Sequence, residues 1–297
     1  MKRVSKTQEF LLDTGVFHAL SFVECERLQS GQASFSASLS VPFELITGFD
    51  IGESNANLMS RHSAITRYQQ MIRISPGLGP QGMVEKSFGL LPTESGARLM
   101  ELCMRILKID IPEKLRQFLS NSSFFHWLKA EADRVSDHFV EAVKTAVTDF
   151  KTVTKEGLAE FDLPRDHAGF MGYVQHLNQS GDLTRLTLIA LAERAGLDTS
   201  LPSTGLYEAT LQLENKLRSR YDGSLDVYMD AYIDLIVSKM AEGGSAHRND
   251  SFDLDHLMYL RSADREQKFV STDKALVLRV NRVREGRAID LQVFLER

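Results

Sequence analysis

Strand-like patterns occur only near the two ends of this chain, and helical patterns fill the long stretch between them. From Ser95 to about Met240, apolar residues recur at helical spacing and no convincing strand interrupts them. Four short runs have the apolar or alternating pattern of strands: FLLD at 10–13, SFSAS at 34–38, KFVSTD at 268–273 and AIDLQVFL at 288–295. Strands at both ends of one chain predict a small α/β unit that is interrupted by helices.

This pattern predicts an α/β fold in which both chain ends form a small parallel-sheet domain with a large all-helical insertion. The α/β domain is assigned to residues 1–92 and 240–297, and the helical insertion or cap to residues 93–239. Helical patterns that follow strand-like runs favour parallel rather than antiparallel pairing, because parallel strands need long crossover connections.

The composition of the chain disfavours several kinds of site and partner. The 297 residues include only two cysteines, Cys25 and Cys103, which excludes a disulfide framework and a cysteine zinc site and fits a reducing cytoplasm. No segment is apolar enough for a membrane span, so a membrane partner is not expected. The formal net charge of -5 disfavours attraction of the whole molecule to nucleic acid but leaves room for a local basic groove.

Acidic residues stand where strand-like runs end. Asp13 and Asp273 each follow such a run, and the carboxyl ends of parallel strands meet at one edge of a sheet. Asp250 and Asp253 lie three residues apart at the start of a predicted helix, on one helical face, whereas Asp255 points away. Oxygen ligands of this kind suit Mg²⁺, and paired ions can promote phosphodiester cleavage.

A plainer interpretation applies to the helix start NDSFDLD at 249–255. Aspartates there satisfy the first amide groups and the helix dipole, so the segment alone is more typical of a cap than of a site. Asp13 and Asp273 in matching contexts shift the balance toward a metal site. His256, which follows these acids, is expected to pack or form a local hydrogen bond.

Four motifs, in this order, resemble those of the PIN-domain nucleases: FLLDTGVFHAL, VPFELITG, NDSFDLDHLMYL and KFVSTDKAL. The family places an Asp after its first strand, an acid on an early helix, a D-x-x-D helix opening and a T-x-D strand end. Here the last position reads Ser271, Thr272 and Asp273. The resemblance covers about the first ninety and the last fifty-five residues and does not explain the middle of the chain.

The resemblance implies hydrolysis of RNA by water activated at a carboxylate-bound Mg²⁺ or Mn²⁺. The catalytic residues that it implies are Asp13, Glu44, Asp250, Asp253 and Asp273. Asp13, Asp250, Asp253 and Asp273 would hold the metal, and Thr14 and Ser271 would support them. Asp50 or Glu53 remain alternatives to Glu44 as the second acid.

Basic residues cluster near Asp273, and three of them, Lys274, Arg279 and Arg282, are predicted to bind phosphates. Arg279 and Arg282 fit equally well as the solvated side of an amphipathic helix. Two other patterns are typical of ordinary structural roles. The row formed by Asp226, Asp230 and Asp234 is typical of a solvated helix face, and FFHWL around Trp127 is typical of a helix core, part of which could face a partner.

The sequence therefore predicts a cytoplasmic, metal-dependent, PIN-like ribonuclease whose partner is RNA. Family members serve as toxins, in RNA processing or in defence, and a regulatory protein partner or self-association would be compatible with these roles. The alternative is a PIN-like scaffold that binds nucleic acid or protein without catalysis. The four acids at positions 13, 250, 253 and 273 favour the enzyme.

Overall fold

The computed structural model describes residues 8–72, 77–93, 96–160, 167–200, 206–242, 244–261, 263–264 and 266–296 of the chain. Its four strands are β1 Glu9–Leu12, β2 Ser34–Ala37, β3 Lys268–Ser271 and β4 Ala288–Asp290. The described residues form fifteen helices: α1 Thr14–Ala19, α2 Phe22–Gln29, α3 Ser40–Thr47, α4 Asn55–Met71, α5 Pro80–Ser87, α6 Ala97–Ile106, α7 Pro112–Ser120, α8 Ser123–Glu160, α9 His167–Gln179, α10 Asp182–Arg194, α11 Leu206–Arg218, α12 Asp226–Glu242, α13 Arg248–Leu257, α14 Lys274–Val283 and α15 Leu291–Leu295.

The strands form one parallel sheet in the order β2-β1-β3-β4. Leu12 at the end of β1 is in register with Ala37 of β2 and with Val270 of β3. Because every strand runs in the same direction, residues that follow the strands collect at one edge of the sheet. Asp13, Ser38 and Ser271 all stand at this edge.

Both faces of the sheet are covered, which explains why β1 and β3 are nearly continuous apolar runs. Phe10 and Leu12 point into one hydrophobic core, whereas Leu11, between them, points into a second core. The first core includes residues of α1, α3, α4, α6 and α7, and the second includes residues of α5, α10, α12, α13 and α14. Helices on either side of residues 92 and 240 thus share these cores, and the predicted division into two domains stays a prediction.

The prediction of a mixed α/β fold with a small parallel sheet and many helices is confirmed. One local prediction was wrong. The run AIDLQVFL forms a strand of three residues, after which the Asp290 carboxylate accepts a hydrogen bond from Gln292 N (2.9 Å) and begins α15. Helix α1 ends at Ala19, because a capping box at Ser21 begins α2.

None of the described helices has both the length and the apolar character that crossing a bilayer requires.

Gly15 allows the start of α1 to approach the loop after β3. A Cβ at this position would overlap the Thr272 hydroxyl and would lie 3.4 Å from Asp13 Oδ1. We expect Gly15→Ala to lower the free energy of unfolding by about 1–3 kcal/mol, as overpacking does. Urea denaturation measures this change, and the double variant Gly15→Ala/Thr272→Ala should recover most of the loss because the overlapping oxygen is gone. A double variant as unstable as the single one would contradict this contact.

Candidate active site

Asp13 is a buried carboxylate held between the two central strands and α1. Its Oδ1 accepts a hydrogen bond from Val16 N (3.0 Å), so it caps α1, and its Oδ2 accepts one from the Ser271 hydroxyl. Only 5% of the residue is exposed. Burial raises the pKa of this carboxyl above its usual range, against the opposing effects of His256 and of the two hydrogen bonds, and Glu44 raises it further.

His256 lies at the centre of the site and is itself buried. Its Nδ1 is 2.6 Å from the Ser38 hydroxyl, and its Nε2 is 2.8 Å from Glu44 Oε1. Burial by itself would lower the pKa of the imidazole, but Glu44, Asp13 and Asp253 outweigh it and raise this pKa to about 9. His256 is therefore a buried cation at neutral pH that faces several carboxylates.

Asp253 precedes His256 by three residues, so both lie on the same face of α13. Burial raises the pKa of Asp253 to about 7, and the negative charges of Glu44, Asp273 and Asp13 add to the effect, while His256 opposes it. A carboxyl group with this pKa is only partly ionised in neutral solution. Its surroundings thus hold more negative charge than His256 balances.

Asp273 closes the site from the end of β3. Its Oδ1 accepts hydrogen bonds from Ala275 N (2.7 Å) and Leu276 N (3.0 Å), so it caps α14, and its own amide donates to Ser271 Oγ (2.8 Å). Ser271 thereby links the main chain of Asp273 to the carboxylate of Asp13, whereas its predicted part in supporting the metal ligands stays a prediction. The predicted second support, Thr14, has its hydroxyl oxygen buried without a hydrogen-bond partner among the described residues.

Of the three candidates for the second acid, Glu44 is the one that the structure brings to this cluster. The Glu53 carboxylate instead pairs with Arg61 (2.8 and 3.0 Å), and Asp50 Oδ1 accepts a hydrogen bond from Gly52 N (2.9 Å). The site therefore contains four carboxylates, those of Asp13, Glu44, Asp253 and Asp273, around the single imidazolium of His256. We refer to these five residues as the acid cluster.

Asp250 does not join the acid cluster, although the sequence predicted it as a metal ligand. Its Oδ2 accepts a hydrogen bond from His247 N (2.7 Å) and lies 3.9 Å from Lys239 Nζ, while its Oδ1 lies 3.9 Å from an Arg279 guanidinium nitrogen. Asp250 therefore caps the first turn of α13 through the His247 amide and lies near bases of α12 and α14. Asp255 also lies apart, in the wall of a separate cavity.

Two of the three predicted phosphate-binding residues are paired with a carboxylate. Arg282 lies 3.0 Å from Asp234 and Arg279 lies 3.6 Å from it. Asp234 belongs to the acidic row of α12, whose member Asp230 pairs with Arg284 (2.6 Å). Asp230 and Asp234 thus face the basic side of α14, and Asp226 accepts a hydrogen bond from the Tyr221 hydroxyl (3.0 Å), so the row is not a solvated face. Lys274 is exposed at the start of α14 beside Asp273.

For His256 the sequence predicts packing or a local hydrogen bond in preference to binding of a metal or phosphate, and nothing in the sequence points to Ser38. Ser38 follows β2 and holds the His256 ring, but its partner lies 218 positions away in the chain. The i,i+3 spacing of Asp253 and His256 was the one available signal, since it places both side chains on the same helical face.

The carboxylates of the acid cluster are held by His256, Ser271 and helix amides rather than pointing to one common centre. Among the described residues, no three His, Cys, Asp or Glu side chains are arranged to hold a metal ion. Comparison with known proteins found no family model, no curated protein and no solved structure that matches the chain.

Proposed function

We propose that the protein is a metal-dependent nuclease that hydrolyses phosphodiester bonds in RNA at the acid cluster. The observation that carries this proposal is the excess of negative charge at the carboxyl edge of the parallel sheet, where burial raises the pKa of Asp13 and Asp253. Carboxylates kept together against their electrostatic repulsion are typical of sites that work on a charged ligand. The order of the acids along the chain supports the same proposal through its resemblance to PIN-domain nucleases.

All four acids of the cluster offer oxygen, which is the donor type that a hard divalent cation prefers, although no three of them are arranged around one point within the described residues. Glu44 Oε1 is buried 2.8 Å from His256 Nε2, so a cation would compete with the imidazolium for this oxygen. Asp13, Asp253 and Asp273 would hold the ion, with Glu44 as the further acid. Bound Mg²⁺ or Mn²⁺ supplies a water nucleophile at neutral pH and stabilises charge on the leaving oxygen.

The residues of the chain have separate tasks in this proposal. Ser271 fixes the position of Asp13 by donating to its carboxylate, and Ser38 fixes the ring of His256. His256 offsets the carboxylates when no cation is bound, which keeps the acids together in the folded protein. Asp253, with a pKa of about 7, releases its proton at little free-energy cost when a cation arrives.

A second function is favoured by the absence of an arranged metal-binding group within the described residues. His256 already supplies a positive charge to the carboxylates. On this alternative, the fold is a scaffold that binds nucleic acid or protein without catalysis, and His256 is the permanent counter-ion of the acids. The two proposals differ in whether a divalent cation binds at all.

The nuclease proposal is tested by incubating purified protein with labelled single-stranded RNA and Mn²⁺. We expect cleavage that EDTA abolishes and that added Mn²⁺ restores. Asp13→Asn, prepared in the same way, controls for contaminating nucleases, and equal cleavage by both proteins would reject the acid cluster as the source of the activity.

A further inference from the structure

Exposed arginines and the exposed ring of Trp127 lie on the surface formed by α6, α7 and the start of α8, beside the half-buried rings of Phe118 and Phe124. Trp127, the single tryptophan of the chain, is 55% exposed and stacks on Phe124, with ring centroids 5.6 Å apart and an interplanar angle of 11°. The Arg98 guanidinium lies 4.5 Å from the centre of the Phe124 ring. Trp127 therefore presents its ring to solvent. It does not lie in a helix core, which is where the sequence pattern placed it.

A second arginine repeats this arrangement seven residues further along α6. Arg105 lies 4.9 Å from the centre of the Phe118 ring, and its spacing from Arg98 places both guanidinium groups on one face of the helix. We call the surface made of Arg98, Arg105, Phe118, Phe124 and Trp127 the stacking surface.

The arginines of the stacking surface lie against aromatic rings rather than against carboxylates. Within the described residues neither Arg98 nor Arg105 forms an ion pair with a carboxylate, whereas Arg134 pairs with Glu131 (2.5 Å) and Arg282 with Asp234. A cation that rests on a ring keeps its charge available for an anion, and Lys114 adds another beside Arg105 in a cavity of about 470 Å³.

Two cavities extend the stacking surface, and Phe124 lines both of them. The larger cavity, of about 1340 Å³, extends from Arg98 and Trp127 to Phe43 and Phe252. The rings of Phe43 and Phe252 lie 5.8 Å apart. Phe43 directly precedes Glu44 in α3, and Phe252 directly precedes Asp253 in α13. The helices that supply two of the acids therefore also form the far wall of this cavity.

We propose that the stacking surface binds a single-stranded nucleic acid, whose bases stack on Trp127 and whose phosphates pair with Arg98 and Arg105. The exposed ring of Trp127 beside two arginines that have no carboxylate partner among the described residues suits this ligand, because every base offers a face for stacking and every linkage offers an anion. An aliphatic ligand would not need the arginines, and a folded duplex hides its bases. Naming the bound strand as substrate rests on the proposed nuclease function, but the binding itself does not.

Binding is measured by the fluorescence anisotropy of a short labelled RNA strand in EDTA, where no metal-dependent cleavage can occur. We expect Trp127→Ala to weaken binding at least about tenfold, and Trp127→Phe to stay within about threefold of the wild type because it keeps a ring. Leu278→Ala serves as the matched control, since Leu278 is also an exposed apolar residue (65%) but lies on α14. Circular dichroism verifies that each variant is folded.

Two results would overturn the stacking surface. One is RNA binding by Trp127→Ala within about twofold of the wild type. The other is equal affinity of the wild-type protein for a DNA strand and for an abasic strand of the same length. Selective binding of either RNA or DNA would support it and identify the sugar. Repeating the titration with Asp13→Asn separates this proposal from the nuclease. Retained binding that depends on Trp127, in a protein without metal-dependent cleavage, would leave the stacking surface standing while the nuclease proposal fails.

Discussion

Asp253→Asn is expected to lower Mn²⁺-dependent RNA cleavage at least about a hundredfold and, at the same time, to stabilise the metal-free protein. Loss of a carboxylate from the metal site removes charge that the cation requires, and even residues that only orient ligands contribute ten- to a hundredfold. The gain in stability follows from the raised pKa of Asp253, about 7, because the folded protein resists ionisation of this group.

The gain in stability should depend on pH. An unfolded aspartate has a pKa of about 3.8, so Asp253 favours folding most below that pH and loses this contribution as pH rises through 7. Asparagine does not ionise, so Asp253→Asn avoids the cost of a buried charge. Because part of the Asp253 side chain is solvent-exposed, we expect a moderate gain, with Asp253→Asn about 1–3 kcal/mol more stable than the wild type at pH 8 in EDTA.

Asp255→Asn is the matched control, because Asp255 is an acid of the same helix that lies in the wall of the larger cavity. It should cleave RNA within about threefold of the wild-type rate. Denaturation at pH 5 and pH 8, together with initial cleavage rates, provides the comparison. An Asp253→Asn protein that cleaves as fast as Asp255→Asn would show that Asp253 has no part in the reaction.

His256→Gln is expected to destabilise the metal-free protein at pH 7 by about 3–5 kcal/mol. His256 is the buried cation that faces Glu44, Asp13 and Asp253, and its removal leaves their charges without a counter-ion. The double variant His256→Gln/Glu44→Gln should recover a large part of this loss, because it removes the nearest uncompensated carboxylate.

The stabilisation by His256 should disappear at high pH. The pKa of His256 is about 9 in the folded protein and about 6.5 in the unfolded chain, so its contribution is complete below pH 6.5 and is lost as pH rises through 9. The free energy of unfolding of the wild type should therefore fall by ~3 kcal/mol between pH 6.5 and 9.5, and that of His256→Gln should change much less. Urea denaturation in EDTA across this range measures both curves, and parallel curves would mean that His256 is not charged in the fold.

The positions of Asp13 and Asp273 could be predicted from the sequence because their placement depends on one local rule. Each follows a short apolar strand, and the carboxyl ends of parallel strands share an edge. The apolar character of β1 and β3 also reflects burial on both faces of the sheet, which a run of residues reveals directly.

The sequence could not reveal contacts that depend on how distant helices pack. Asp250 and Asp253 lie three residues apart in the same helix, yet Asp250 meets Arg279 of α14 while Asp253 meets the acids at the sheet edge. Likewise, the phosphate-binding prediction for Arg282 could not take account of Asp234, because nothing in the sequence states that α12 and α14 are neighbours. Trp127 is a similar case, since an aromatic residue in an apolar helix start is usually buried.

Calorimetric titration of Mn²⁺ into the EDTA-treated and dialysed protein tests most directly whether the acid cluster is a metal site. We expect saturable binding by the wild type and by Asp255→Asn, and binding by Asp13→Asn and Asp253→Asn that is at least about a hundredfold weaker. A wild-type protein that binds no Mn²⁺, or an Asp13→Asn protein that binds it as tightly as the wild type, would contradict the account and favour a scaffold in which His256 alone balances the acids.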